Sequence, residues 1–578
     1  MPDNPNTSSN RDILVAAQEK GAISTFGAYF RLSGPGWLQS AITLGGGSLG
    51  SALYLGVLCG TSMMWLSLLA IIVGVIMLSS ISYVVLSSGE RPLKAINDHV
   101  NPVLGVGWVT ATILANMIWV LPQFSLCFDV ANKILLPDLI EDTDTFKYGL
   151  SIVLFVAATV MVFLNLKGGW ASRIFDILLK LMVGVIVVSF VAVVVSLYRE
   201  GYLEVESILA GLIPRPDHWF SPVPTVAELI NTLPESGQEF WSTQFVSNQR
   251  NVMISTTATV VGINMTFLLP YSMLYRGWDR PFRGLATFDL ITGLAIPFVL
   301  VFSCIVIATS FNFHGKADEN FLSDDPALVQ QSPLFGGASK IILDSVVEGD
   351  PSIDASKLSE EQVANIVAKV SPEERKLSAM LTRPNSAQLA KSLEPLLGKT
   401  YANLVFGLGT FGMGFSTIII LMMINGFAIG ELLGMHRNIG VQVFGAVLAG
   451  LIGVMWPLVW AGESKTWLII LASTFGAILL PIAYIAFFAL MNNRTLLKDD
   501  MLTGAWRWIW NALMAFGVFA ALAQAGSALY TKLFAPATGS LIELHSGSMI
   551  FGGIVTFALL ALIGFAATGK SRTEPEQE

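Results

Sequence analysis

Gly45-Gly46-Gly47-Ser48 stands in the middle of an apolar run that extends from Gly36 to Leu58. A run of that length crosses a bilayer as a helix. Its centre should be its most regular part, with every backbone group satisfied inside the helix. Three successive glycines are the poorest choice for helix continuity. They predict a break at membrane depth, where unwound N–H and C=O groups and the Ser48 hydroxyl become ligands for whatever enters. Close helix packing through small residues accounts for one or two such glycines, but less well for three followed by a serine. A second interruption is expected within Asn264-Met265-Thr266-Phe267-Leu268-Leu269-Pro270-Tyr271, where Pro270 removes a backbone donor and strains the preceding turn. Gly45, Gly46, Gly47, Ser48, Asn264, Thr266, Leu269 and Tyr271 are therefore the candidate binding residues, a set of neutral oxygens and no charge. Catalysis is not expected. His99, His218, His314, His436 and His545 are scattered in loops or at span ends, and no nucleophile–base pair or phosphate-binding loop is visible.

The elements that must position these residues are membrane spans. The chain is 53% hydrophobic and 13% charged over 578 residues, far from the balance of a soluble protein. Twelve apolar runs lie near 36–58, 62–86, 105–135, 147–165, 174–198, 253–275, 286–310, 402–432, 440–461, 466–491, 506–530 and 548–568. Arg11, Lys20 and Arg31 precede the first run, Arg91 and Lys94 follow the second, and Lys167 and Arg173 separate the fourth and fifth. Arg276, Arg280 and Arg283, then Arg437, then Arg494 and Lys498 continue the alternation, and Lys570 and Arg572 close the chain. By the positive-inside rule both ends are expected in the cytoplasm, in an inner or plasma membrane. Cys59, Cys127 and Cys304 suggest neither a disulfide framework nor a metal cluster.

Two loops on the other side are long. Residues 199–252 carry Trp219, Phe220 and Trp241 among polar residues, which suits an interfacial flap. Residues 312–400 form the one large polar insertion. Ser359-Glu360-Glu361-Gln362 and Ser371-Pro372-Glu373-Glu374 there have the pattern of helix-start capping boxes, so a small helical cap is expected. The expected organisation is an N-terminal segment 1–30, spans one to five in 31–198, the loop 199–252, spans six to ten with the insertion in 253–495, and spans eleven and twelve with a tail in 496–578. Breaks at corresponding places in spans one and six predict an all-α polytopic fold built on an inverted five-helix repeat.

Short motifs then resemble those of the Nramp (natural resistance-associated macrophage protein) family of divalent-metal transporters. Gly34-Pro35-Gly36-Trp37 opens the first span as in that family, and Ser88-Gly89-Glu90-Arg91-Pro92 is similar to its turn after the second. Leu269-Pro270-Tyr271 takes the place of its Met-Pro-His motif. Leu393-Glu394-Pro395-Leu396-Leu397-Gly398, the stretch from Phe406 to Ser416, and Leu480-Pro481 extend the resemblance over roughly residues 30 to 495, the 312–400 insertion being atypical. The resemblance implies a secondary transporter working by alternating access, embedded in lipid, with no cofactor and no nucleic-acid partner.

It also shows what this chain lacks. Counted from Gly34 without gaps, Gly45 stands where the family has the aspartate of Asp-Pro-Gly-Asn and Ser48 where it has the asparagine. Leu269 replaces the methionine ligand and Tyr271 the histidine. Asn116 and Gln123 in the third span fall at acidic positions associated with proton movement, which implies altered or absent proton coupling. Asp129 remains as a displaced proton or cation site or a helix-end carboxylate. Asp176 and Asp289 are expected in ion pairs with nearby basic residues. Asn425, after Ser416 and Thr417, and Ser473, where the family often has a glutamine, are accessory polar positions. Neutral oxygens would bind a transition metal poorly and a larger or hydrated hard cation less poorly. A small organic solute such as an amino acid or carboxylate, packed against Tyr271 and Trp119 with its carboxylate on glycine N–H groups, is the alternative. A non-transporting sensor is a second.

Overall fold

Backbone that lies in lipid must satisfy its own polar groups, which leaves helices as the solution for apolar runs of this length. The computed structural model describes residues 5–534 apart from 168, 204, 351–352, 383–387, 389–397 and 460–467, and among them every regular element is helical. Among the described residues eight helices are long and apolar enough to cross a membrane, or up to ten if each of two bent pairs is one span. The ninth expected span is the shorter helix Ile439–Val454. The twelfth, 548–568, and the motif from Leu393 to Leu397 lie outside the described residues.

The first span is broken as its glycines require, but slightly earlier than expected. Half-helices Pro35–Thr43 and Gly46–Cys59 meet at 50° across Leu44 and Gly45. Gly46, Gly47 and Ser48 form the first turn of the second half-helix. Gly45 is extended (φ −104°, ψ −176°) and serves as the N-cap.

The sixth span departs further from expectation. Its interruption is at Val261-Gly262, between helices Glu235–Val260 and Ile263–Tyr275. Pro270 sits inside the second of these. Thr256, Thr257, Thr259, Val260 and Val261 are β-branched residues that disfavour the helix, and Gly262 then supplies the extended N-cap (φ −90°, ψ 168°). A proline costs one backbone bond and need not end a helix whose neighbours hold it in place. The helix also begins at Glu235, inside the residues expected to form a loop. A hydropathy scan stops where a helix leaves the apolar zone, and this one continues into a polar collar. Trp241 on that extension is wholly buried and donates to Glu374 Oε1 at 3.1 Å, so it anchors the insertion rather than an interface with lipid.

The insertion is helical, with Pro326–Gln331, Phe335–Gly349, Glu360–Lys369 and Pro372–Leu381. Ser359 and Gln362 form the reciprocal capping box, and Ser371 caps Glu374 N. Arg375 is 1% exposed, with its guanidinium on the Ser323 carbonyl and the Asp324 carboxylate. Helix Pro372–Leu381 rests on the second half-helix of span one and on the start of span six, so the insertion caps one end of the bundle. The N-terminal helices Pro5–Lys20 and Ala22–Leu32 lie at the other end, where Arg11 pairs with Asp279. These ends are called here the insertion face and the N-terminal face.

Candidate functional site

A helix that stops in mid-membrane leaves its last carbonyls without intrahelical donors. At the end of the first half-helix each neighbour supplies one. Leu44 N donates to Ser40 O at 2.8 Å. The hydroxyls of Ser416 and Thr417, from the eighth span (Lys399–Leu432), donate to Ala41 O at 3.2 and 3.4 Å. Ser48 donates to Thr43 O and so stitches across the break. Thr43 in turn donates to Val260 O at 3.1 Å and lies 3.2 Å from Met265 Sδ, which joins the two breaks directly.

The start of the second half-helix has the opposite need. Gly46 N donates to Gln123 Oε1 at 3.0 Å, an amide from the third span (Pro102–Val130). Trp119, one turn earlier on that span, fills the remaining space. A Cβ on Gly47 would come within 2.5 Å of its indole, and one on Gly476 of the tenth span (Leu468–Met491) within 2.8 Å. A Cβ on Gly45 would overlap the Thr417 hydroxyl and lie 2.8 Å from Ile42 O. The glycines thus make room for side chains from spans three and eight at the place where spans one and six cross.

The structure brings Gly45, Gly46, Gly47 and Ser48 together with Gln123, Trp119, Ser416 and Thr417. Asn264 is at the second break, its Oδ1 turned back to Met265 N at 2.9 Å. Thr266 faces away from the break and accepts from Trp108 Nε1 at 3.0 Å. Leu269 is buried farther along the helix. Tyr271 belongs to the N-terminal face: its hydroxyl accepts from Leu93 N at 3.4 Å and its ring lies 5.6 Å from the Arg91 guanidinium. Arg91 forms a two-point ion pair with Glu431 at the end of span eight. Asp500 gathers Arg280 at 2.6 Å and Arg283 at 3.1 Å beside it. These ion pairs lie at the N-terminal face.

The remaining polar positions separate. Asn116 is wholly buried, with neither side-chain atom hydrogen-bonded among the described residues. Asp129 is not at a solvated helix end; it is wholly buried and paired with Lys133 at 2.7 Å, where the third span widens into a π-helical turn, Ala131–Leu135. Asp289 has the charge of Arg276 beside it. It caps the first half-helix, accepting from Ser33 Oγ, from Gly34 N at 3.2 Å and from Gly36 N at 2.6 Å. Asn425 donates to Gly445 O at 2.8 Å and ties span eight to span nine, away from the crossing. Ser473 is buried on the tenth span, one turn before Gly476. The side chain of Asp176 lies outside the described residues. Among the described residues no group of three or more His, Cys, Asp or Glu could hold a metal ion. Thr43 was not singled out from sequence, although a hydroxyl just before a glycine-rich break is a signal that could have found it.

The sequence matches the family described as "Natural resistance-associated macrophage protein-like" over residues 36–344 and 373–525. No curated protein matches at a significant level. Similar solved structures include a variant of the Eremococcus coleocola manganese transporter, at TM-score 0.61 and 12% identity over 94% of this chain and 95% of that one. Another is the same transporter in complex with an aromatic bis-isothiourea compound, at TM-score 0.60 and 12% identity over 94% and 96%. At that identity the likeness is one of fold, and it covers nearly the whole of both chains.

Proposed function

The chain belongs to the Nramp family of membrane transporters, and from that premise we propose that it carries a small cation by alternating access around the two breaks, with neutral oxygens in place of charged ligands. The observation that carries this reading is the end of the first half-helix. Its carbonyls hold the negative end of a helix dipole, the hydroxyls of Ser48, Ser416 and Thr417 donate to them, and Gln123 Oε1 accepts from Gly46 N across the break. Such a site favours a hard cation that keeps part of its water shell over a thiophilic transition metal. The structural neighbours are called manganese transporters; with glycine and serine at its break, this chain is suited to a harder and less tightly coordinated ion. Uncharged Asn116 and Gln123 supply no titrating group, so proton coupling is altered or absent. The basic loops orient the protein with both termini in the cytoplasm, in an inner or plasma membrane.

A carboxylate substrate would need the free N–H groups that begin the second half-helix. One of them is already held by Gln123, which weighs against that alternative. The test is calorimetric titration of the purified protein with MgCl2, CaCl2, KCl, MnCl2 and a panel of amino acids and carboxylates. Heat with a hard cation, lost in Thr417→Val, is the expected result. Binding of carboxylates with all cations inert would overturn the reading. Uptake into vesicles loaded with a pH dye should leave internal pH unchanged, and acidification that tracks flux would remove the claim of uncoupled transport.

A further inference from the structure

Helix Ala22–Leu32 precedes the first span and wears its apolar residues on the wrong side for water. Ile23 is 92% exposed, Phe26 56% and Phe30 57%. With Gly27 they form one stripe, because residues three, four and seven apart share a helix face. The opposite stripe, Ser24, Thr25, Ala28, Tyr29 and Leu32, is buried or half-buried, although it has three hydroxyls and the smaller side chains. Thr25 Oγ1 donates to Ala17 O at 3.2 Å on helix Pro5–Lys20. Tyr29 lies over Gly284 and against Phe288 at the start of span seven, ring centroids 5.3 Å apart. A helix with water on its outer side turns its large apolar side chains inward. This one is reversed.

Position and charge say what covers the exposed stripe. Phe26 and Phe30 meet Phe288 edge-on, at 5.4 and 5.1 Å between ring centroids. Phe288 begins the lipid-facing side of span seven, which continues through exposed Ile291, Ile296 and Leu300. The stripe is therefore continuous with a surface that lipid already covers. Depth agrees with this. The helix ends at Leu32 and the first half-helix starts at Pro35, so the stripe is level with the entry of span one. Exposed Trp170, Trp506 and Trp508 stand at the N-terminal-face starts of helices Gly169–Arg199 and Gly504–Phe534, an aromatic belt at the membrane–water boundary. Lys20 and Arg31 flank the stripe, exposed and without an ion-pair partner among the described residues, and no acidic residue stands between them. A stripe with a basic residue at each end matches an anionic lipid surface.

We infer that helix Ala22–Leu32 lies in the plane of the membrane surface as a binding surface for anionic phospholipid. Ile23, Phe26 and Phe30 enter the boundary between headgroups and acyl chains, and Lys20 and Arg31 meet the phosphates. This goes beyond the cation-transport reading and holds whichever solute is carried. The surface is joined closely to the first break. Phe288, on which the aromatic rings gather, is followed by Asp289, which caps the first half-helix through Ser33, Gly34 and Gly36. Lys180 Nζ, from helix Gly169–Arg199, donates to Ser33 O at 3.3 Å in the same turn. Adjacent residues of span seven thus hold the lipid-facing helix and the start of the broken span.

The test places full-length Ile23→Cys protein, labelled with a small fluorophore, in nanodiscs of equimolar phosphatidylcholine and phosphatidylglycerol. Ile23 hardly touches the rest of the chain, so the fold should survive, and the three native cysteines are buried and should take no label. Asp12→Cys, exposed on helix Pro5–Lys20, reports the water side. The label at 23 should be quenched by lipid carrying a nitroxide near its headgroup, and several-fold less by iodide than the label at 12. Equal access of iodide to both would overturn the proposal. Shielding at 23 from both iodide and nitroxide lipid would overturn it too, because protein, such as a second copy of the chain, would then cover the stripe. Nitroxide on phosphatidylglycerol should quench more than nitroxide on phosphatidylcholine, by up to about fivefold for each of Lys20 and Arg31. Lys20→Gln with Arg31→Gln should bring the two lipids level. Equal quenching by both lipids in the protein with its basic residues intact, or a preference that survives their removal, would overturn the anionic assignment. No substrate enters these measurements, so their failure is distinct from failure of the cation-transport reading.

Discussion

The two broken spans are interrupted by different means, and the difference explains why one was easy to find and the other was not. At the first break the backbone opens because glycines admit neighbours: Thr417 against Gly45, Trp119 against Gly47, and Gln123 on Gly46 N. At the second break the chain opens because a β-branched run meets a glycine, and no neighbouring helix is let in by the glycine itself. A Cβ on Gly262 would meet only Asn264, the nearest atom being its Oδ1 at 2.6 Å. The first break is a packed junction. The second is a local hinge.

The largest expected effect breaks the junction. Gly45→Ala places a methyl group against the Thr417 hydroxyl, which could turn aside only by giving up its bonds to Ala41 and Met413, and 2.8 Å from the Ile42 carbonyl of the half-helix itself. Overpacking of that kind costs about 3 kcal/mol, visible as a lower thermal midpoint and lost cation binding. Gly45→Asp, which restores the acidic residue that the Nramp resemblance implies here, should be at least as damaging. Combining it with Thr417→Ala should recover part of the stability. If Gly45→Asp alone were stable and bound manganese, the junction would not be packed as described.

Sequence made the first break legible because glycine is chemically unambiguous in an apolar run. Gly45 marked it to within a residue, and the error was only in assigning Gly46 to Ser48 to the unwound part. Pro270 misled because a proline inside an apolar run carries two readings, a break and a tolerated kink, and only tertiary contacts choose between them. The run from Thr256 to Gly262 carried the better signal, but β-branched residues are ordinary in membrane helices and do not stand out. Ser359 and Gln362 were legible because a capping box is a local device whose partners are three residues apart. The burial of Asp129 with Lys133, and the use of Asp289 as a cap on a helix that begins at Pro35, were not legible. Both depend on which helix lies alongside, and spacing within one span says nothing about that.

The next two predictions sharpen the contrast at the hinge. Pro270→Ala restores a backbone donor inside a continuous helix and gives up the rigidity of proline in the unfolded chain. These offset, so stability should stay within about 1 kcal/mol and transport should persist. Abolished transport with an intact fold would return Pro270 to the centre of the mechanism. Gly262→Ala should cost about 1 kcal/mol, since alanine is the poorer N-cap and its Cβ displaces only the end of the Asn264 side chain. If Gly262→Ala were as harmful as Gly45→Ala, the two breaks would be the same kind of junction after all.

The smallest effect comes from a region that should behave unlike either break. The side chains at the crossing carry no titrating group, so its stability should be flat across mildly acidic pH. The insertion face differs, because His218 is buried there with neither ring nitrogen hydrogen-bonded among the described residues and Asp217 no nearer than 4.0 Å. Burial pushes its pKa below the ordinary histidine value, and the charge of Asp217 opposes that only in part. His314, beside the same face, is lowered by burial too. For a histidine whose folded pKa is depressed, the unfolded chain takes the proton first. Stability is therefore complete above about pH 6.5, falls as pH drops from there toward the folded value, and levels off below it. The thermal midpoint of the wild-type protein should decline across that window, and His218→Leu should flatten the slope without moving the midpoint at neutral pH by much. An equal slope in the variant would place the acid sensitivity elsewhere. A slope that instead followed Asn116 or Gln123 substitutions would mean that the crossing is not the uncharged junction described for it.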